Sequence, residues 1–176
     1  MRYDCRMTPL KWSTSHAVWV TEIDDEHKEI FVAVGELQSL LTGSARLPQI
    51  RKMLGRLTTA AADHFAHEER LMHASRYPGL RWHKRQHDAA RRKAEEFAAA
   101  IEAGDKEAGL AMVEYLTGWL RDHTRVADRM MGAHLRNQAR CVGKLTFRAG
   151  TKPANACSWV DSTGNRFDPL ATATRL

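Results

Sequence analysis

Two histidines and two glutamates stand within the nine residues HFAHEERLM, which start at residue 64. One residue turns an α-helix by about 100°, so on a helix Glu68 lies about 40° from His64. These two side chains share the apolar stripe that carries Leu57, whereas His67 and Glu69 fall on its flanks. The spacing therefore predicts that His64 and Glu68 point into a hydrophobic core.

Histidine recurs on the apolar stripes of three other helical segments. His83 and His87 are four residues apart, which places them on one face of a helix. His27 and His123 stand between apolar residues of two further stripes. A single buried histidine is most often a hydrogen-bonded core residue, but a buried carboxylate costs several kcal/mol unless it is paired or bound to metal. Ligand-type side chains on inward stripes of four helices favour one shared metal centre, which satisfies them together.

The residue types limit the metal without fixing it. Imidazoles with carboxylates suit Zn, Fe, Ni or Cu, whereas a thiolate-rich site needs cysteine. Cys5, Cys141 and Cys157 are too far apart in sequence to form a CxxC pair, and so sparse a set suits a reducing cytosol. The zinc-protease signature HExxH is not met, because Leu71 stands four residues after His67.

Four segments carry the 3.6-residue period of amphipathic helices, and strand signals are absent among them. They cover approximately residues 24–41, 48–74, 80–103 and 105–138. Short breaks such as TGSARLP, SRYPG and AGDK separate them. We therefore predict an all-α fold, an up-down-up-down antiparallel four-helix bundle. On the fourth stripe, Ala127 and Met130 are expected to face inwards with His123.

The chain changes character after the fourth segment. From Cys141 onward it is rich in Thr, Ala, Gly, Asn and Pro and has no sustained period. We predict one domain over residues 12–138 and an irregular C-terminal tail of unknown role over residues 139–176, in which KLTF forms a short extended piece.

The bulk composition excludes several classes of function. The net charge is +6, but the densest basic run, RQHDAARRK, is followed at once by Glu95 and Glu96. It is typical of a solvated helix face, so we predict no nucleic-acid partner. No apolar run is long enough to span a membrane, and the first residues lack the apolar stretch of a signal peptide. We expect a cytoplasmic protein with no membrane partner.

Taken together, the motifs resemble those of the hemerythrin family, in particular the bacterial hemerythrins. KWSTSHAVWVTEIDDEH is similar to the family's opening, a tryptophan followed by Ile-Asp-x-x-His, and HFAHEERLM is similar to its HFxxEExxM. YPGLRWHKRQH resembles its YP followed by HxxxH, and WLRDHTRVAD resembles its HxxxxD. The resemblance spans roughly residues 12–131, and its strength lies in the order and spacing of the motifs rather than in any one of them.

The resemblance implies a centre of two Fe ions joined by an oxo or hydroxo bridge. His83, His87 and His123 would bind one iron. His27 and His64 would bind the other, and Glu68 and Asp128 would bridge the two. Three imidazoles with three bridging oxygens make six bonds, whereas two imidazoles with the same bridges make five. The second iron then keeps an open position for a small ligand, as working metal sites do.

The same resemblance implies O2 as the ligand, with NO, peroxide or azide able to take its place. Neutral imidazoles with only two carboxylates favour reversible O2 binding with two-electron transfer over O–O cleavage. An apolar pocket should exclude water, and the resemblance lines it with four side chains. These are Ile30, Phe65, Trp119 and Leu120. We predict an O2 carrier, store or sensor; a di-iron enzyme that reduces peroxide or NO, or an iron-holding bundle, are the alternatives. The sequence leaves the oligomeric state open, with a monomer as one option.

Three positions depart from the family or from an ideal helix. Thr124 stands where a bulky aliphatic residue is usual, and we hypothesise that its hydroxyl meets water or the bound ligand and speeds autoxidation. Trp19 stands where glycine is frequent. Asp128 lies five residues after His123, about 140° round an ideal helix, so we predict a local π-type widening between them. The remaining histidines are expected at the surface or on flanks. They are His16, His67, His73 and His134.

Overall fold

The computed structural model describes residues 10–148 and two strand segments, residues 159–160 and 166–167. Helix α1 spans Thr21–Thr42, α2 Leu47–Ala74, α3 Leu80–Glu102 and α4 Lys106–His123. A π-helical segment, Thr124–Asp128, joins α4 to α5, which spans Arg129–Arg148. A 3₁₀ turn at Thr14–His16 precedes α1, and the strands Trp159–Val160 and Arg166–Phe167 pair antiparallel.

The helices form the predicted bundle, with α4, the π-helical segment and α5 acting as one long fourth helix. Helix α1 packs against α2 and α4, and α3 packs against the same two helices. Local signals set the helix ends. The Asp105 carboxylate accepts hydrogen bonds from the backbone N–H groups of Glu107 and Ala108 at 2.9 and 3.1 Å, which caps the start of α4. Gly104 turns the chain there with φ of 91°, a conformation that glycine adopts without strain.

The core divides into two apolar clusters along the bundle axis. The large cluster takes in residues such as Phe31, Leu37, Leu57 and Leu120. The small cluster contains Val18, Ile23, Met72, Tyr77 and Met131. All four helices of the bundle run from one cluster to the other, and on each of them the predicted ligand positions lie between the two. The polar side chains therefore form a layer that separates two hydrophobic regions.

The prediction that Met130 faces the core is wrong. Met130 is 54% exposed, and Met131 is fully buried instead. The π-helical segment adds one residue to a turn, so the inward face advances by one position beyond Asp128. The prediction assumed an uninterrupted 3.6-residue period, which does not include that shift.

The predicted irregular tail begins later than expected. Helix α5 continues to Arg148, so KLTF lies in a helix and the prediction of an extended piece is wrong. The first strong breakers after Gln138 are Gly150 and Pro153, and nothing before Gly150 except Gly143 opposes a helix. Residues 149–158, 161–165 and 168–176 lie outside the described residues, and with them most of the tail. No helix within the described ranges is sufficiently long and apolar to cross a lipid bilayer.

Candidate metal centre

The structure brings all seven predicted ligand side chains into one buried layer. Each is at most 3% exposed. The ligand atoms fall into two groups that share the same two carboxylates. One group contains Glu68, His83, His87, His123 and Asp128. The other contains His27, His64, Glu68 and Asp128.

The first group places three imidazole nitrogens around one point. Nε2 of His123 lies 3.1 Å from Nε2 of His83 and 3.1 Å from Nε2 of His87. Oδ1 of Asp128 is 3.1 Å from His83 Nε2 and 3.0 Å from His123 Nε2. Oε2 of Glu68 is 3.3 Å from His83 Nε2 and 3.2 Å from His87 Nε2. Ligand atoms about 2.1 Å from one ion and at right angles to each other lie about 3 Å apart, so this spacing fits a metal ion.

The second group shares the same two carboxylates and faces the opposite side of Asp128. Oδ2 of Asp128, the oxygen not directed at His83 and His123, lies 3.1 Å from Nε2 of His27. Nε2 of His64 is 3.8 Å from Glu68 Oε2. The rings of His27 and His64 are 4.6 Å apart. Asp128 can therefore contact an ion on each side through a different oxygen, and Oε2 of Glu68 lies close to imidazoles of both groups.

Hydrogen bonding does not explain the layer. All four carboxylate oxygens of Glu68 and Asp128 are buried, and none makes a hydrogen bond within the described part of the chain, although imidazole nitrogens approach to about 3 Å. Both ring nitrogens of His27 also lack a hydrogen-bond partner there. Lone pairs directed at a common point rather than at one another are what metal ligation requires. A cation would compensate the burial of these carboxylates.

The charges in the layer point the same way. Burial raises the pKa of Asp128, but His123, His27 and His83 outweigh it and hold that pKa well below its usual range. Burial and Asp128 raise the pKa of Glu68, and His64, His83 and His87 outweigh them and lower it. Both carboxylates therefore favour the anionic form. Against the effect of burial, they in turn raise the pKa of His83 to about 9 and raise the pKa of His64, so a metal ion that binds here replaces protons on these imidazoles.

The π-helical segment is what brings Asp128 into the layer, and it confirms the predicted widening. On an ideal helix Asp128 would point about 140° away from His123, yet both reach His83. The hydroxyl of Thr124 donates to the carbonyl oxygen of Leu120 at 2.8 Å. That donor is used within the widened turn, so Thr124 supports the shape of the segment rather than offering its proton to a ligand.

The N-terminal arm, residues 10–20, lies against the π-helical segment. Arg125 and Arg129 donate hydrogen bonds to the side chain and carbonyl of Ser15, at 3.2 and 2.8 Å. A Cβ on Gly132 would lie only 2.5 Å from the carbonyl oxygen of Val18, so the close approach of the arm requires glycine there. These contacts hold the arm across the segment that carries Asp128.

Two residues of the arm differ from their predicted or ordinary state. His16 is 5% exposed and packs against Phe31 with ring centroids 4.8 Å apart, so its prediction as a surface or flank residue is wrong. Burial, with Arg125 nearby, lowers its pKa. Trp19 has φ of 61°, the left-handed region that favours glycine. Its backbone N–H donates to Asp24 at 3.0 Å.

Sequence reasoning missed the side chains that hold the imidazoles in place. Glu26 accepts from His64 Nδ1 at 2.9 Å and from His67 Nδ1 at 2.7 Å. Both histidines hold the pKa of Glu26 at about 2 against the effect of burial, which raises it. Glu69 accepts from Nδ1 of His87 at 3.2 Å. Glu69 thus fixes the orientation of the His87 ring, and His67 holds Glu26, which fixes the ring of His64.

The third such contact joins Oε1 of Gln86 to Nδ1 of His123 at 3.2 Å. Glu26, Glu69 and Gln86 each stand next to a ligand-type residue in sequence. Their position next to a ligand-type residue was the sequence signal that could have identified these three side chains. It did not reveal the partners, because Glu26 and Gln86 bond to imidazoles on other helices.

A cavity of about 380 Å³ lies beside the layer, between the helices. It is largely apolar, and the four predicted pocket residues Ile30, Phe65, Trp119 and Leu120 are among those that line it, whereas Thr124 is not. Phe65 stacks on His87 with ring centroids 4.1 Å apart, and Trp119 stacks on His123 at 4.2 Å. The same two rings therefore form a wall of the cavity and a support for the imidazoles.

Comparison with known proteins gives consistent relatives. The family model described as the hemerythrin HHE cation binding domain matches residues 19–135. A hemerythrin chain of Sipunculus nudus is 34% identical over 68% of this chain and 88% of its own length. A bacteriohemerythrin of Pseudomonas aeruginosa is 29% identical over 69% of this chain and 78% of its own length.

The fold gives the same result as the sequence. A solved structure of a leucine-to-tyrosine mutant of hemerythrin superposes with a TM-score of 0.68 and 25% identity, over 73% of this chain and 98% of that one. The extent of the family match, the relatives and the histidine-carboxylate layer agree. The chain belongs to the hemerythrin family, and its cofactor is a di-iron centre.

Proposed function

We propose that this protein binds O2 reversibly at its di-iron centre. The observation that carries the proposal is the inequality of the two ligand groups. Three imidazoles converge on one side of the shared carboxylates and only two on the other. A di-iron centre held by these residues would supply two electrons to O2 and would recover them when O2 leaves. The side with fewer imidazoles has room for that ligand.

The ligand roles follow from this inequality. We assign His83, His87 and His123 to one ion. His27 and His64 go to the other, and Glu68 and Asp128 bridge the two. The short approaches from Asp128 to His27 on one side and to His83 on the other support the bridging role.

The protein surroundings favour reversibility. Ile30, Phe65, Trp119 and Leu120 give the cavity an apolar wall, which limits the access of water and protons to the bound ligand. Stacking of Phe65 on His87 and of Trp119 on His123 keeps the imidazoles in one orientation. Glu26 and Glu69 do the same from behind through hydrogen bonds. Ligands held in a fixed geometry need little rearrangement when O2 binds or leaves.

The test uses the full chain loaded with iron. Iron content near two per chain is checked first, and then the protein is reduced, exposed to O2 and returned to argon while its visible spectrum is recorded. We expect a ligand-to-metal band that appears with O2 and disappears under argon. His27→Ala should abolish it, whereas His73→Ala, at an exposed histidine outside the layer, should leave it unchanged. A band that never reverses, or a chain that retains zinc alone, contradicts the proposal.

The same site should bind other small ligands of this kind, namely NO, peroxide and azide. Whether the chain acts as a carrier, a store, a sensor or an enzyme that reduces peroxide or NO depends on how quickly electrons reach the centre. We assign binding to the domain over residues 12–138 and expect it in the monomer, because every side chain of the layer comes from one chain. Consumption of peroxide or NO over many turnovers would favour the enzyme.

A further inference from the structure

Trp82 connects the metal layer to the surface through a single ring contact. It is 41% exposed, and it precedes the fully buried His83 in sequence. The indole and imidazole rings meet edge to face, with centroids 6.4 Å apart and an interplanar angle of 75°. A conjugated ring that touches both solvent and a ligand position is a short route for an electron.

The helix face next to Trp82 carries more basic than acidic side chains. Of the carboxylates on the same side, Asp88 pairs with Lys84 and Arg91 and Glu96 pairs with Lys93, which leaves Glu95 beside the arginines. On α3, Arg81, Arg85 and Arg92 fall within about 40° of one another, and Arg85 lies about 60° from Trp82. All three arginines are exposed. We call Trp82 and these three arginines the arginine face.

The other basic residues of this part of α3 are already paired. Lys84 contacts Asp88 at 2.9 Å and Glu69 at 3.4 Å. Arg91 contacts the same two carboxylates at 2.8 and 3.1 Å. In contrast, no ion pair is recorded for Arg81, Arg85 or Arg92 with any described residue. The charge of the arginine face is therefore available to another molecule.

Helix stability does not account for this charge. Helix α3 begins at Leu80, and its first turn has no acidic residue. Arg81 lies in that first turn, with Arg85 one turn later. The partial positive charge at a helix N-terminus favours acidic residues and disfavours basic ones. Because basic residues near the start of α3 are unfavourable for the helix, their presence indicates a role other than stabilising the fold.

We propose that the arginine face docks an acidic one-electron carrier protein, which reduces the oxidised centre through Trp82 and His83. The proposal rests on the di-iron function given above. Each encounter moves one electron from the carrier, which is oxidised, to one ferric ion, which becomes ferrous. Two encounters restore the diferrous form, and no covalent bond of this chain is made or broken. Positive charge on this side and negative charge on the carrier bring the two together and orient them.

The experiment measures reduction of the iron-loaded, oxidised full chain by a reduced plant-type ferredoxin under anaerobic stopped flow. The loss of the oxidised chromophore is followed against ferredoxin concentration and ionic strength. Ferredoxin binding is measured separately by titration calorimetry, which does not depend on electron transfer. Arg85→Glu should lower the second-order rate about tenfold at low salt, weaken binding and reduce the salt dependence. The limiting rate at saturation should change little.

Trp82→Leu should have the opposite pattern of effects on the limiting rate of reduction and on the affinity for ferredoxin. The limiting rate should fall several-fold while the dissociation constant for ferredoxin changes little, because the ring carries the electron more than the docking. Lys52→Glu and Trp19→Leu are the matched controls. Lys52 is exposed on α2, and Trp19 is exposed in the arm with no recorded ring contact to a histidine. Neither should alter reduction.

Any of three results would overturn the proposal. The first is equal loss of rate in Arg85→Glu and Lys52→Glu. The second is an unchanged limiting rate in Trp82→Leu, and the third is binding of duplex DNA, but not ferredoxin, to the arginine face. Dithionite, a small reductant, should reduce every variant at the same rate. A chain that binds O2 reversibly after dithionite but ignores ferredoxin refutes the docking alone, whereas failure to bind O2 after dithionite refutes the proposed function.

Discussion

Along α1, Ile30, Phe31 and Val34 pack into the large apolar cluster, whereas His27, one turn earlier, belongs to the layer of imidazoles and carboxylates. The two regions are stabilised differently. The apolar cluster gains from removing hydrocarbon from water and needs nothing from outside the chain. The layer places Glu68 and Asp128 where no hydrogen bond within the described residues satisfies them. A cation between these carboxylates stabilises the layer.

The comparison shows how one bundle can be both a scaffold and a site. The large cluster fixes the spacing of the helices, and the metal layer uses that spacing. The small cluster and the arm then close the far end, where Val18 and Met131 are fully buried. We expect the two regions to respond differently to the loss of metal and to mutation.

Removal of the metal should have the largest effect. Chelation should lower the free energy of unfolding by several kcal/mol, because the ions bind the folded state alone. Amide hydrogen exchange should accelerate most around His27 and Asp128, and least around Leu37 in the large cluster. The measurement is exchange on iron-loaded and iron-free protein. A uniform loss of protection in both regions would show that they are one cooperative unit and that the comparison is false.

Leu37→Ala should damage the other region. Leu37 is fully buried in the large cluster, and truncation of such a leucine costs about 2–5 kcal/mol. Denaturant unfolding of the iron-loaded protein measures the loss, and iron content per chain should stay unchanged. Val32→Ala, on the same helix but at a side chain 55% exposed, is the control and should have little effect. Loss of iron in Leu37→Ala would mean that the cluster, not the layer, determines metal binding.

The large apolar cluster and the metal layer also differ in how much of each could be predicted from the sequence. The large cluster follows from the 3.6-residue period. The inward direction of His64 and Glu68 follows from the same period. A constant period cannot predict a turn in which the number of residues per turn itself changes. Beyond Asp128 the inward residue is Met131 rather than Met130, because the widened turn advances the face by one position.

Contacts between helices were the other limit. Glu26 and Gln86 bond to imidazoles on other helices, and helix phase alone does not identify such partners. The burial of His16 depends on the arm, which has no period to interpret. The resemblance supplied the di-iron assignment. The residues alone left zinc, iron, nickel and copper open.

Glu26→Gln should weaken metal binding without breaking the fold. The carboxylate holds His64 through Nδ1 and is held in turn by His67. Loss of such an outer contact typically costs 10–100-fold in metal affinity, which competition with a chelator can measure. Glu29→Gln, on the same helix at an exposed glutamate, removes the same charge away from His64 and should leave affinity unchanged. Equal weakening of metal binding in both variants would show that the effect arises from net charge and not from the contact with His64.

Trp19→Gly should have the smallest effect, and it tests how the arm is held at the end of the bundle that contains the small cluster. Trp19 occupies φ of 61° while its indole is 62% exposed, so the side chain gains little from burial at a position that disfavours it. A non-glycine residue there costs about 1 kcal/mol. Trp19→Ala removes the indole but keeps the strain, so the glycine variant should be more stable than the alanine variant by about that amount in thermal unfolding. The backbone N–H that donates to Asp24 is present in both, which leaves backbone strain as the difference. If the alanine variant is the more stable of the two, the left-handed conformation at residue 19 carries no strain. The position of the arm then depends on its contacts with Arg125, Arg129 and Gly132 alone.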